Sequence, residues 1–302
     1  MQSLNQSNIM HNKIEKAYAK INLNLCIINK RKDNYHNLYS DIIFVNIYDT
    51  ITIKAKSTKN NKISLIINGI FKNTLNTDIK ENIVYKAAHY FMKKYKINND
   101  LVIILNKSLP IASGIGGGSA DAAATLRKLT EIFHISKKTF NNIFLKKISK
   151  KLGADIPSCI FSSPQTVKGI GEKIYSLPIS LKKILRNNHY IILINPNASI
   201  STELVFSKWK IIPPLTNIVT SNKYYPKIGI NNLKPIAENI EPSIILIQKF
   251  LSSHSDIKFF GMSGSGATCF GIFNNKKHAI KAKHYIKKIR PKWWIEFSTI
   301  NI

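Results

Sequence analysis

"PIASGIGGGSADAAA", Pro110–Ala124, is the stretch on which the reading of the fold turns. Four of the chain's 13 glycines fall between Gly114 and Gly118. Before them stands the apolar run "DLVIILNKSLP", which predicts a strand ended by a proline. After them comes "SADAAATLRKLTEIF", rich in strong helix formers. A strand, a glycine-rich turn and a helix that opens on small residues make an anion site. The first N–H groups of a helix have no internal partner, and the helix dipole adds positive charge there. Gly114, Gly116, Gly117 and Gly118 let backbone N–H groups approach a phosphate and admit positive φ. Ser119 offers a hydroxyl to a phosphate or to a bound Mg²⁺, and the alanines up to Ala124 keep the mouth open. The loop is not a Walker A sequence, because no Gly-Lys-Ser/Thr follows, and its spacing does not fit the dinucleotide fingerprint. Glycine turns also serve tight packing, so the loop alone leaves both uses open.

Outward from the loop, the chain mixes strands and helices without steady alternation. "AKINLNLCII", "DIIFVNIYDTITIKA" and "KISLIING" predict strands, and "ENIVYKAAHYFMKKY" an amphipathic helix. "SKKTFNNIFLKKISKKLG" predicts a helix from a Ser136 cap to Gly153, and "ADIPSCIF" a sharp loop. Further on come the strand "YIILINP", a short helix in "STELVFSKWK", the helices "EPSIILIQKFLSS" and "KKHAIKAKHYIKKI", and a strand–turn–strand in "KFFGMSGSGATCFGIF". This order argues for an α+β fold. A break is expected near residue 180, at "SLPISLKKILRNNHY".

Composition narrows the class. At 302 residues, 44% hydrophobic and 20% charged, the chain has the material for two packed domains. No apolar run approaches the roughly 20 residues of a membrane span, and "MQSLNQSNIMHNK" lacks the apolar stretch of a secretion signal. Cys26, Cys159 and Cys269 are too sparse for a disulfide framework, which points to a reducing, cytoplasmic setting. The net charge of +29 raises nucleic acid as a partner, yet only four of the 45 basic residues are Arg, the side chain suited to phosphate forks and base edges. Scattered Lys beside abundant Asn and Ile reads as a codon bias toward A and T, so no specific nucleic-acid partner is expected.

Two charged residues stand out beyond the loop. Lys20, in the apolar "AKINLNL", is costly to bury without a partner, although an edge strand would let it reach water. Asp155, in "LGADIP", precedes Pro157 and is either a turn aspartate or a functional carboxylate. Asn22 follows Lys20 by two residues and shares its face of a strand.

Taken together, Ala19–Leu25, Pro110–Ala120 and "GMSGSGATCFG" (Gly261–Gly271) make the chain resemble the GHMP kinases, with order and spacing matching from about residue 17 to 273. "NYHNLYS" resembles the branch whose substrate carries a cytidine diphosphate. The loop departs from the family at Ser113, Ile115 and Ala120, all small changes. The resemblance implies two domains with the active site between them. Residues 17–180 would form a ribosomal-protein-S5-like, ATP-binding domain. Residues 181–302 would form a ferredoxin-like domain on the substrate side, and residues 1–16 an extension without counterpart. It implies phosphoryl transfer from ATP, with Mg²⁺ as the counter-ion and no metal ligand assigned, in a monomer or homodimer.

Residue by residue, Asp155 matches the catalytic aspartate, accepting a hydroxyl proton, and Lys20 its cationic partner. Pro110, Ile111, Ala112, Ser113, Gly114, Ile115, Gly116, Gly117, Gly118, Ser119 and Ala120 match the phosphate loop, and Asn82 an adenine-side asparagine. Asn22 would bond the substrate. Tyr35 would stack on cytosine, His36 would bond the base's polar edge, and Phe206 would form a second aromatic wall. The rival readings are a homoserine- or mevalonate-type kinase and, from another class, an RNA-binding protein.

Overall fold

The computed structural model describes residues 14–58, 60–74, 78–209 and 227–301. Strand β1 (Glu15–Asn22) pairs antiparallel with the long β3 (His36–Ser57), whose first residues pair with β2 (Cys26–Lys30). Strand β4 (Ile63–Asn68) runs parallel to β5 (Asn99–Asn106), with helix α1 (Ile83–Tyr95) crossing between them. Then come α2 (Gly117–Ile132), α3 (Asn142–Lys151) and α4 (Ile156–Phe161). A hairpin of β6 (Gln165–Gly169) and β7 (Lys173–Ser176) joins β3 through β6. The rest runs α5 (Ile179–Asn187), β8 (Tyr190–Asn195), α6 (Thr202–Ser207), α7 (Lys234–Ile240), α8 (Ser243–Ser253), β9 (Ile257–Met262), β10 (Cys269–Phe273), α9 (Lys276–Ile289) and β11 (Trp294–Asn301).

The α+β expectation holds. The sheet path runs β4-β5-β3-β11-β8-β10-β9, and β11 is its link: Ile300 and Asn301 pair with β3, while Trp294–Thr299 pair with β8. Three apolar cores follow. One lies between α1, α2 and α4 and the strands β1, β3 and β5. A second packs α6 to α9 on β8, β10 and β11. The third holds Ile21 and Ile43 together with Leu185, Leu193 and Phe270, so it draws on both sides of residue 180. Among the described residues, no helix is long and apolar enough to cross a membrane.

Several local expectations are corrected. "AKINLNLCII" is not one strand: Leu23 still donates its N–H to the Asp41 carbonyl of β3, but its carbonyl accepts the Gly229 N–H, and Leu25 donates to Ile230 and accepts from Asn232, which separates β1 from β2. The helix expected from Ser136 starts later. Ser136 caps only one 3₁₀ turn, and Asn141 caps α3 by accepting the Phe144 N–H at 3.0 Å. "ADIPSCIF" is mostly helix α4, because Pro157 sits in the first turn, where a missing N–H costs nothing. Near residue 180 the chain forms the short helix α5, whose Leu181 and Leu185 are buried. Of the stretch set apart as residues 1–16, Glu15 and Lys16 already belong to β1, and residues 1–13 lie outside the described residues.

Past the end of β5, Lys107 is shut away from water between two buried carboxylates. It pairs with Asp49 of β3 and, at 2.8 Å, with Asp121 of α2. Burial alone would lower the lysine, but Asp121 and Asp49 outweigh it and hold it above its ordinary value. Burial pushes the Asp121 carboxyl well above its usual range, against the pull of Lys107. Removing one partner of a buried ion pair costs about 3–5 kcal/mol. Lys107→Met is therefore expected to destabilise the protein by about that much at pH 7, read by denaturant unfolding. Asp121, which it strands, has a raised folded-state value, so the loss should shrink as pH falls toward about 4 and that carboxylate takes up a proton. A pH-independent loss would show that the charges are not what matters.

Candidate active site

The glycine loop follows β5 and enters α2. Gly116 stands at the N-cap position with φ +66° and no side-chain cap, so the first N–H groups of α2 are not used by a side chain. Gly114 has φ +77°, and a Cβ there would strike the backbone oxygen of Ser263. Positive φ is thus confined, within the loop's glycines, to Gly114 and Gly116; Gly117 and Gly118 are ordinary first-turn residues of α2. Beyond the glycines, Ala112 also adopts positive φ, at 48°.

Several short bonds tie the loop to its surroundings. The Lys20 N–H donates to the Ile115 carbonyl at 2.9 Å. The Ser263 hydroxyl donates to the Gly114 carbonyl at 2.9 Å and accepts the Asn22 N–H at 3.0 Å. Thr268 N–H donates to the Ser113 carbonyl, and Ile200 N–H to that of Ala112. One hydroxyl, Ser263, therefore joins β1, the glycine loop and the turn between β9 and β10.

Two cavities share this loop as a wall. The larger, about 400 Å³, is lined by Lys20, Asn22, Asp155 and Phe206, with Ala112–Gly114 and Gly116–Ser119 along its floor. The smaller, about 250 Å³, has Asn82, Pro110 and Ile111 on one side and Gly117, Gly118, Lys107 and Asp121 on the other. Asn82 caps α1 by accepting the Val84 N–H at 2.9 Å.

At the centre of the larger cavity, Lys20 Nζ donates to Asp155 Oδ2 at 2.8 Å. The lysine side chain is 5% exposed and the aspartate 46%. Asp155 occupies the N-cap position of α4 but makes no capping bond, which leaves its carboxylate free for Lys20. Asn22 donates to Ser40 Oγ at 2.8 Å, and its Oδ1 is buried with no partner among the described residues. The Ser119 hydroxyl faces the turn before Asp155: a Cβ on Gly153 would lie 3.8 Å from it. Beneath the site, Cys159 is fully enclosed, and burial pushes its thiol up to about 12, with Asp155 adding to the effect, so it is no nucleophile.

The expected site residues do not all gather. Ile115 and Ala120 point into cores, and only the backbone of Ile115 serves the site. His36 packs its ring 5.3 Å from Phe206, but Tyr35, just before β3, is 40% exposed and makes none of these ring contacts. Other lining residues stand outside the expected set: Thr202, bonded to Ser265 at 2.9 Å, and Ile170 and Gly171 of the β6–β7 turn. Trp209, edge-on to His36 at 5.4 Å, is likewise new.

Residues 82–163 match the family described as "GHMP kinases N terminal domain", and residues 225–291 match "GHMP kinases C terminal". A Clostridium acetobutylicum protein named 4-diphosphocytidyl-2-C-methyl-D-erythritol kinase is 35% identical, over 90% of this chain and 95% of its own length. An Ehrlichia canis protein of the same name is 33% identical, over 93% and 96%. Among solved structures, a 4-(cytidine 5'-diphospho)-2C-methyl-D-erythritol kinase superposes with TM-score 0.73 at 23% identity, covering 96% of this chain and all of that one. A homoserine kinase from Cytophaga hutchinsonii superposes at 0.69 with 16% identity, covering all of this chain and 97% of that one. These two likenesses concern the fold.

The close approach at Gly114 yields a test. Gly114→Ala adds both a left-handed strain and a clash with Ser263, at about 1–3 kcal/mol for the strain alone. ATP affinity by calorimetric titration is expected to fall on the order of tenfold or more, with a lowered Tm. Unchanged affinity would detach the loop's shape from nucleotide binding.

Proposed function

The chain belongs to the GHMP kinase family, and on that premise we propose that it transfers the γ-phosphoryl group of ATP to a hydroxyl of 4-diphosphocytidyl-2-C-methyl-D-erythritol, a step of the non-mevalonate isoprenoid pathway. The observation that carries the reading is the ion pair of Lys20 and Asp155, 2.8 Å long, facing the open end of α2 across one cavity. A proton acceptor, a fixed cation and a cradle of N–H groups are what phosphoryl transfer to an alcohol requires, since its catalysis is mostly positioning and charge stabilisation.

The geometry supports the following roles. The β- and γ-phosphates lie on the N–H groups of Gly116 to Ser119, where side chains are absent or short. The adenosine end occupies the smaller cavity beside Asn82. Asp155 accepts the substrate hydroxyl's proton as that oxygen bonds to the γ-phosphorus and the bond to ADP oxygen breaks. Lys20 keeps Asp155 oriented and faces the transferring group. Mg²⁺ bound to the ATP phosphates would neutralise charge, and the Ser119 hydroxyl is the loop group fitted to meet it. The cytidine diphosphate extends toward Phe206, which lines the cavity, and so toward His36, whose ring packs on Phe206. Residues 17–180 bind the nucleotide and residues 181–302 close the substrate side.

Asp155→Asn preserves shape but cannot take the proton. Turnover in a coupled ADP-release assay is expected to fall by about 10²-fold or more, with ATP affinity little changed. The same assay with homoserine and mevalonate tests the substrate: preference for either over the cytidine compound would move the chain to another branch, and near-normal turnover of the variant would remove Asp155 from its role.

A further inference from the structure

The imidazole of His36 is 8% exposed, and its Nε2 is buried with no hydrogen-bond partner among the described residues. A bare buried polar atom in a native protein needs an explanation, and a ligand group is one. Such an atom recognises a ligand only if the ring is held in one orientation, because turning about χ2 exchanges nitrogen for carbon at a given edge of the ring. The backbone does not provide this: His36 opens β3 opposite Lys30, which fixes the main chain and leaves the ring free.

Two other rings hold it. Phe206 lies tilted by 41° with centroids 5.3 Å apart, and Trp209 stands edge-on at 87° and 5.4 Å. Both come from one turn, since the Trp209 N–H donates to the Phe206 carbonyl at 3.2 Å. Residues three apart on such a turn share a face. The turn itself is anchored: Ser201 caps α6, Val205 is buried, and Thr202 bonds Ser265. Edge-on and tilted contacts are the geometries that aromatic rings prefer, so the two faces restrain the imidazole from different directions. Burial, with Lys30 adding to it, lowers the imidazole's pKa and favours the neutral ring.

We propose that Trp209 is a positioning residue for base recognition: with Phe206 it clamps the plane of His36 and so presents the free Nε2 to the polar edge of a pyrimidine. This rests on the reading that the substrate carries cytidine diphosphate. Tyr35, exposed and outside the clamp, is not needed for it. Without Trp209 the imidazole turns freely. The pocket still accepts a pyrimidine by shape, but it no longer reads the base's donors and acceptors.

The test compares wild type with Trp209→Ala, Trp209→Phe and His36→Ala, using the cytidine substrate and its uridine analogue. Trp209→Ala is expected to raise KM for the cytidine substrate by about tenfold and to erode the cytidine-over-uridine preference to a similar degree, more than it changes kcat or KM for ATP. Trp209→Phe should restore most of the preference, since a ring again meets the imidazole. CDP alone should change the tryptophan emission of wild type, and Trp209→Phe, which keeps Trp293 and Trp294, should lose that change. If His36→Ala loses the preference while Trp209→Ala keeps it, the clamp is refuted and the cytidine reading stands. If both variants keep the wild-type preference, neither ring reads the base and the proposal is overturned; if wild type itself shows no preference for the cytidine compound, the cytidine reading falls. If Trp209→Ala lowers Tm and kcat and raises both KM values alike, Trp209 is merely structural and the proposal is overturned.

Discussion

A lysine ammonium held between two carboxylates, all three out of reach of water, is the constraint on which the site depends. Taking such charges from water is expensive, and only close pairing offsets it. Lys107, Asp49 and Asp121 can pair only if the middle of β3, the end of β5 and the first turns of α2 stand in one relation. The second oxygen of Asp49 adds to this, accepting the N–H groups of Ser108 at 2.5 Å and Leu109 at 2.9 Å. Both ends of the glycine loop are therefore pinned to the same buried cluster, one through Ser108 and Leu109 and the other through Asp121. The loop between them needs no side chains of its own to hold its course.

From that anchor the rest of the site is assembled by close approach. Gly114 lies so near the turn after β9 that a side chain would not fit, and the Ser263 hydroxyl bonds both Gly114 and Asn22. Lys20 meets the loop through its backbone and Asp155 through its ammonium. Strand β11 and the third core bind the same neighbourhood from below, since Ile21 and Ile43 share apolar contacts with Leu193 and Phe270. Residues from four distant stretches of chain thus meet at one cavity wall.

The sequence exposes only part of this. The glycine loop and the helix after it are local, and both appear where the spacing puts them. Lys20 is legible because a lysine in an apolar strand demands a partner, and Asp155 is that partner. Lys107 carries the same signal at the end of "DLVIILN", yet nothing in the chain points to Asp49 and Asp121 as its partners. The capping of α3 turned on a choice between Ser136 and Asn141 that both residue types satisfy. The split of "AKINLNLCII" depends on residues 229–232, far away in sequence, and no local pattern foretells it. His36 was readable as a motif residue, but its neighbour Tyr35 faces elsewhere, and Trp209 emerges only from the ring geometry. What stays hidden is what long-range pairing decides.

The central ion pair is asymmetric, and the asymmetry matters for the proposed chemistry. Lys20 is 5% exposed and bonded through its backbone to the loop, whereas Asp155 is 46% exposed on a short helix. The carboxylate is open to an incoming hydroxyl, while the ammonium cannot withdraw into water. Once Asp155 accepts a proton, its charge is gone and Lys20 is left as a buried cation without a counter-charge, an arrangement that a protein interior penalises. The nearest new negative charge is the phosphoryl group in transit, a few bonds from the oxygen that gave up the proton. The neutralisation of Asp155 and the stabilisation of the transferring group by Lys20 are then one event: the lysine gains its second partner as it loses the first. A lysine on the surface would have water as a third choice, so the burial of Lys20 in β1 is what makes the exchange obligatory.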